Sequence, residues 1–436
     1  MMMAGFLSRL PRMAGLSAQS CTPPPPPADT NFGERESGVT ERQGGGAAPG
    51  RQATMMIVST VALNAIEYLL IGLPLAVFPS FVHFNLCYSA TLAGFLVSLQ
   101  YAATLVSRSA VGRACDTLGP KKVVLGGLGC AAISGLCILL AARGGPAWAV
   151  LGWLCLSRLW LGTGESCTGT GCIAWGIGRV GALHTAEVMS WNGVASYGGI
   201  ALGAPVGVML DRAGGLAALG WFSAGLALLG LLVGLTRQGV PIVPGVRMGL
   251  GRVLKRVLPF GGVLALASAG FGTIVAFITL YYASHRWGGA QYALSAFGIA
   301  FVLVRVFFAG AIRRIGGFAC AAISLLVETL GLALLFVAPD PAVALLGAAL
   351  TGLGLSLVFP AMAVEALNGV ELSNRGAAIG LYTVFLDLSL GITGPLAGAL
   401  IAQAGYPAVY LLGALLAGLA ELLTLAIWRL RRAAAR

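Results

Sequence analysis

The chain has 436 residues, of which 58% are hydrophobic and only 10% charged. A soluble domain carries about 25% charged residues and a single soluble core stops growing near ~250–300 residues, so a soluble enzyme of this length is nearly excluded. The 27 basic and 15 acidic residues leave a net charge of +12. The basic residues border apolar runs and form no aromatic-and-basic motif, so the surplus reads as membrane topology and no nucleic-acid partner is expected.

Residues 1–53 stand apart. Five consecutive prolines (Pro23 to Pro27), three glycines (Gly44 to Gly46) and mixed charges predict a disordered cytoplasmic extension with no core of its own. Arg9 and Arg12 interrupt the short apolar run at the start, which argues against a signal peptide. Met55 and Met56 stand where the first long apolar segment begins, a candidate start of the functional chain.

From there apolar runs alternate with short basic or Gly/Pro connections. A helix needs about 20 residues to cross hydrocarbon, which places crossings near 55–78, 89–111, 123–142, 147–170, 187–210, 216–236, 257–282, 291–312, 318–338, 342–366, 377–402 and 407–430. The weakest separations are between the fifth and sixth and between the ninth and tenth. The longest internal connection divides these twelve helices into an N-terminal six-helix bundle (54–236), a cytoplasmic central loop (237–256) and a C-terminal six-helix bundle (257–430), followed by a basic tail (431–436). The expected fold class is therefore an all-α membrane protein. With the N-terminus cytoplasmic, 21 of the 27 basic residues fall on the inner side, and only Arg143, Arg212 and Arg286 on the outer. That asymmetry obeys the positive-inside rule and puts both termini in the cytoplasm. Arg108, Arg158 and Arg305 remain inside crossings.

The 9 cysteines include no C-x-x-C pair, and His83, His184 and His285 form no cluster by spacing, so no disulfide framework, metal site or cofactor is expected. Many of the 64 glycines recur four apart, as in Gly199, Gly203 and Gly207, which lets helix backbones approach in lipid.

Three motifs carry more. Between the second and third crossings stands Gly112-Arg-Ala-Cys-Asp116-Thr-Leu-Gly119-Pro-Lys121-Lys122. Crossing four holds Arg158-Leu-Trp-Leu-Gly162-Thr-Gly164, and crossing five ends on Gly199-Ile-Ala-Leu-Gly203-Ala-Pro205-Val-Gly207. The first resembles the loop signature G-x-x-x-D-x-x-G-x-[RK]-[RK] of the major facilitator superfamily, and the second its R-x-x-x-G-x-G motif. The third is similar to the family's antiporter pattern, departing from it by an alanine between glycine and proline. A degraded copy of the loop signature, without its aspartate, follows at Gly310-Ala-Ile-Arg313-Arg314-Ile-Gly316-Gly317. Gln100 to Arg108, Trp191-Asn192-Gly193 and Tyr382 to Gly398, with Gly394 and Pro395, look like the YhhS-type subfamily of bacterial inner-membrane efflux-like permeases. The resemblance implies alternating access by a monomer, a cavity lined by crossings 1, 4, 7 and 10, and a latch between the bundles at Gly112, Asp116, Gly119, Lys121 and Lys122.

The few charges inside crossings are where a mechanism should sit. Glu67, Glu328, Asp387 and Glu421 lie near mid-span, whereas Glu187, Asp211 and Glu365 can reach the headgroup layer. A mid-span carboxylate either pairs with a cation or holds a proton, which is what proton coupling requires. Asn64, Glu67 and Tyr68 share a helix face, expected to point into the cavity, with Arg158 or Arg108 as candidate partners. Gln100, Thr104 and Arg108 repeat every four residues on crossing two, and Arg158 and Glu165 share a face on crossing four. Arg305 is the expected cation for Glu328 or Asp387, in a network that is either static or coupled to protons. Trp148, Trp153, Tyr281, Tyr282, Trp287 and Trp428 are expected to anchor at the interfaces, with a cavity mouth the alternative place for Tyr281 and Tyr282.

Together these readings predict a secondary transporter, proton-linked, exporting small drug- or sugar-like molecules, with protons, the bilayer and a small molecule as partners. An uptake symporter or facilitator is the nearest alternative, and a sensor without transport a further one. An enzyme is not expected, since no G-x-S-x-G elbow, H-E-x-x-H helix or nucleotide loop occurs.

Overall fold

A computed structural model describes residues 50–181, 184–241, 250–308, 310–368 and 375–434. Most of the expected N-terminal extension, the middle of the central loop and the end of the basic tail lie outside the described residues. Among the described residues nearly all are helical and none form strands.

Twelve long helices follow one another among the described residues: α1 (Gly50–Ser80), α2 (Ala90–Leu118), α3 (Pro120–Ala142), α4 (Ala147–Val180), α5 (185–213), α6 (216–236), α7 (Leu250–Ser284), α8 (Ala290–Phe307), α9 (Gly317–Val337), α10 (Pro341–Leu367), α11 (Arg375–Ala404) and α12 (Pro407–Ala434). By length and composition 10 of the described helical stretches can cross a membrane, and one of them, Glu187–Thr236, holds both α5 and α6. The remaining long helix, α4, is diluted by Arg158 and by glycine, serine and threonine, yet it runs 34 residues and packs along α1, α2 and α3.

The two weak separations have distinct local causes. Between α5 and α6 no loop intervenes: Gly214 (φ −162°) and Gly215 (φ 58°, ψ −150°) reverse the chain, the second in a conformation open only to glycine. Between α9 and α10, Asp340 caps the new helix, its carboxylate accepting from Ala342 N and Val343 N at 2.9 Å each, with Pro341 in the first turn. The expected loop at Gly112–Leu118 is instead the last two turns of α2. Nothing in that stretch breaks a helix until Gly119 (φ 90°), and Pro120 opens α3 directly.

Helices α1–α6 pack as one six-helix bundle and α7–α12 as the other. The bundles meet along two antiparallel seams, α2 with α11 and α5 with α8, and more lightly where α1 faces α7. Outward-facing leucines such as Leu202, Leu232, Leu396, Leu415 and Leu422 are more than half exposed, a surface suited to hydrocarbon rather than water. Trp148 is 73% exposed, as an interfacial anchor would be. Tyr281 and Tyr282 are not anchors. They are buried, donate to Leu335 O and Pro341 O, and form with Trp287 and His285 an aromatic plug at the end of α7.

Within the first bundle, Gly199, Gly203 and Gly207 press on the α1 backbone. A Cβ added at Gly203 would strike Leu69 O and lie 3.0 Å from Gly72 Cα, both main-chain atoms that cannot turn aside. Gly203→Val is therefore expected to cost about 1–3 kcal/mol, the usual penalty of overpacking. A fall of several degrees in the unfolding temperature of the purified protein would register it, while Gly225→Val, in open space, should leave the temperature unchanged.

Candidate functional site

Polar side chains that lipid would penalise gather where α1, α2 and α4 meet and continue to α11. The four-residue stripe on α2 is the thread. Gln100 donates from Nε2 to Glu165 Oε2 (2.8 Å) and accepts at Oε1 from Arg158 Nη1 (2.6 Å). Arg158 and Glu165, two turns apart on α4, are thus joined through one glutamine rather than directly. Tyr68 of α1 donates to Glu165 Oε1 at 3.1 Å, and Thr104 Oγ1 lies 3.2 Å from Oε2 and 2.9 Å from Gly162 O. Below the guanidinium of Arg158 lies the Phe78 ring, 4.9 Å away, while its Nε and Nη2 have no partner among the described residues.

One turn further along α2, Arg108 Nε donates to Asp387 Oδ2 of α11 at 2.6 Å. The aspartate is 1% exposed and the arginine side chain 21%, so the pair is reached from the arginine side. It closes one end of the α2–α11 seam. Farther along, Ser98 Oγ donates to Leu390 O and accepts from Gly394 N, entering the hydrogen-bond ladder of α11, and Gly394 lies against Gly94 backbone to backbone. Pro395 follows directly inside α11. From Thr91 against Gly398 to Arg108 the seam runs 17 residues along α2, or ~25 Å of helix.

Several expectations change here. Arg305 pairs with neither Glu328 nor Asp387. Its Nε donates to Ser356 O (3.0 Å), its guanidinium stands 5.0 Å from the Phe301 ring, and it abuts Gly193 of α5. Asp387 is taken by the arginine of the other bundle, because α11 turns that face to α2. Glu67 meets neither Arg158 nor Arg108, and its face does not act as a unit. Asn64 donates to Ser196 of α5 (3.0 Å), Tyr68 goes to Glu165, and Glu67, fully buried, lies against Gly164 with no hydrogen-bond partner among the described residues. Glu328 of α9, facing Gly270 of α7, is likewise buried without a partner among them. Glu365 pairs at the surface with Arg431 (3.4 Å), as its place near a helix end implied.

The latch residues are only partly engaged. Gly112 faces open space and Asp116 is exposed with no hydrogen bond among the described residues, Lys122 is exposed, and Lys121 donates to Leu235 O and Arg237 O, carbonyls of its own bundle. Among the described residues no cluster of His, Cys, Asp and Glu could hold a metal.

The model of the Major Facilitator Superfamily matches residues 60–325 and 260–436. The chain belongs to this superfamily. An MFS-type transporter of Burkholderia mallei (strain SAVP1) is 53% identical over 366 residues, covering 84% of this chain and 90% of the relative. One of Pseudomonas aeruginosa (strain UCBPP-PA14) is 52% identical over 374 residues, covering 85% and 93%. Among solved structures, a point mutant of the nucleoside transporter NupG superposes with a TM-score of 0.66 at 16% identity, over 85% of this chain and 99% of that one. The human organic anion transporter MFSD10 gives 0.65 at 17%, over 86% and 100%. These two likenesses establish the major facilitator fold. The facilitator is a transporter and not an enzyme.

Proposed function

We propose that this major facilitator is a proton-linked exporter of small polar or amphiphilic molecules, working by alternating access as a monomer in a bacterial inner membrane with both termini cytoplasmic. In this reading the bundles at 54–236 and 257–430 rock about a site between them, and the connection 237–256, whose residues from Leu250 on belong to α7, tethers them on the cytoplasmic side. The observation that carries it is the Arg108–Asp387 pair. Ionisable groups inside a membrane are costly and mark ion or substrate pathways, and this pair spans the two moving parts. Binding a proton at Asp387 would release Arg108 and loosen the α2–α11 seam, so protonation and bundle separation are linked. Glu165 of α4, bonded by Gln100 and Thr104 of the α2 stripe that leads to Arg108, is a second proton acceptor. The resemblance of stretches on α2, α5 and α11 to the YhhS-type subfamily supports export.

The test is a substrate screen in everted membrane vesicles with an imposed pH gradient. Accumulation of a compound in an acidified lumen, abolished when the gradient is collapsed, is the expected result. Movement indifferent to the gradient would make the protein a facilitator, and outward movement with protons an uptake symporter.

A further inference from the structure

The second seam has the first seam's architecture without its carboxylate. Gly119 (φ 90°, ψ 146°) and Gly316 (φ 85°, ψ 159°) adopt matching conformations and each precedes the helix that follows, α3 and α9. Counting back 11 residues from each reaches Arg108 on α2 and Arg305 on α8, and counting back 19 reaches Gln100 and Phe297. The carbonyl of Gln100 is touched by Gly162 of α4, and that of Phe297 by Gly352 of α10. The two halves thus repeat the same helix contact at the same register, and Arg108 and Arg305 occupy equivalent stations, each facing a helix of the opposite bundle.

Their surroundings then diverge. Arg108 meets Asp387 on α11. Arg305 meets α5 at Gly193, which presents no side chain to it; a Cβ there would lie 2.7 Å from Nη1. Among the described residues no carboxylate bonds it, and its Nη1 and Nη2 donate to nothing. Yet the residue is 6% exposed. Arg158, the other arginine inside the span without an ion pair, is linked to Glu165 through Gln100, so Arg305 alone is a buried cation with no acid near it in the described network. A desolvated guanidinium without a counter-ion is costly. Beside it the seam is aromatic: Tyr197 of α5 stacks on Phe301 at 3.6 Å and meets Phe271 of α7 edge-on at 5.4 Å, and Phe271 stacks on Phe297 at 4.8 Å.

We infer that Arg305 binds the substrate and that the substrate is an aromatic or amphiphilic organic anion, an assignment that rests on the transport role proposed above. The anion completes the ion pair that the α5–α8 seam lacks, its two oxygens matching the Nη edge of the guanidinium. Its apolar body lies against the Tyr197, Phe271, Phe297 and Phe301 rings. Opening of the seam moves Gly193 off the guanidinium and admits the ligand. Arg108 cannot serve this purpose while Asp387 neutralises it.

Binding to the purified full-length protein tests this apart from any flux. A panel of aromatic carboxylates (benzoate, 3-phenylpropionate, 4-phenylbutyrate and indole-3-acetate) is compared by calorimetry and ligand-induced thermal shift with the matched amides and amines. At least one acid is expected to bind ten times more tightly than its amide and amine. Arg305→Gln should lose that preference, Arg305→Lys should keep part of it, and Arg286→Gln, on the surface, should not alter it. Amides or amines binding as well as the acids, or no acid binding up to millimolar concentration, overturns the assignment, as does an unchanged preference in folded Arg305→Gln. The wild-type comparison decides even where that variant does not fold. Acid-selective binding without proton-driven flux would retire the exporter reading alone.

Discussion

Asp387→Asn is expected to abolish proton-driven flux, by at least a hundredfold, in the everted-vesicle assay, while the protein still inserts and purifies. The pair it breaks is 2.6 Å long, with the aspartate 1% exposed, and removing one member of a buried pair typically costs about 3–5 kcal/mol because the other charge is left desolvated. The same argument makes Arg108→Gln comparably damaging. What separates a coupling pair from a packing pair is the double variant. With both charges gone no desolvated ion remains, so Arg108→Gln/Asp387→Asn should recover stability and gradient-independent exchange, yet no response to the pH gradient. A purely structural pair would recover driven transport along with stability. If Asp387→Asn alone keeps its proton-driven flux, Asp387 is not the carrier.

How far the sequence leads can be seen at particular residues. The crossings are legible because an apolar run must be about 20 residues long to span hydrocarbon, and the short breaks at Gly119-Pro120 and Asp340-Pro341 are stereochemical signals. The α5–α6 reversal is weakly marked because two glycines inside an apolar run do the work of a loop. Periodicity finds faces but not neighbours. It put Gln100, Thr104 and Arg108 in one stripe, and Arg158 with Glu165 in another, without showing that Gln100 lies between the last two. It matched Arg305 with acids of its own bundle, whereas Asp387 pairs with an arginine 279 residues away. That pairing depends on which faces of the two bundles dock. The seven-residue spacing of Arg158 and Glu165 marks their shared face, but not the Tyr68 and Gln100 donors that hold the glutamate. Gly193, whose missing side chain leaves Arg305 without an answering group, carries no local signal of its role.

The glutamates of the first bundle offer the sharpest remaining contrast. Glu165 is held by donors on two sides, Tyr68 OH at Oε1 and Gln100 Nε2 at Oε2, and supplies the negative charge that Arg158 feels through Gln100. In Glu165→Gln the amide presents one acceptor and one NH2 to these donors. With its NH2 toward Tyr68 the hydroxyl accepts and its own O–H loses the acceptor it had, and with its NH2 toward Gln100 two N–H groups face each other, since Gln100 cannot flip without losing Arg158. A buried donor left unsatisfied costs about 1–3 kcal/mol, and the lost counter-charge adds to it. Flux is expected to fall at least tenfold, with a lower unfolding temperature. Glu67 is buried more deeply, yet no cation and no donor answers it among the described residues, and its Oε1 packs over Gly164, where a Cβ would come within 2.6 Å of it. Nothing there calls on a charge, so Glu67→Gln, equal in shape, should keep flux within about twofold and the unfolding temperature nearly unchanged. Glu67→Leu, a different shape, should lower the temperature. The order of the two glutamine variants is therefore diagnostic. Loss of proton-driven flux in Glu67→Gln with retention in Glu165→Gln would move the coupling site from the α2 stripe to the interior of α1.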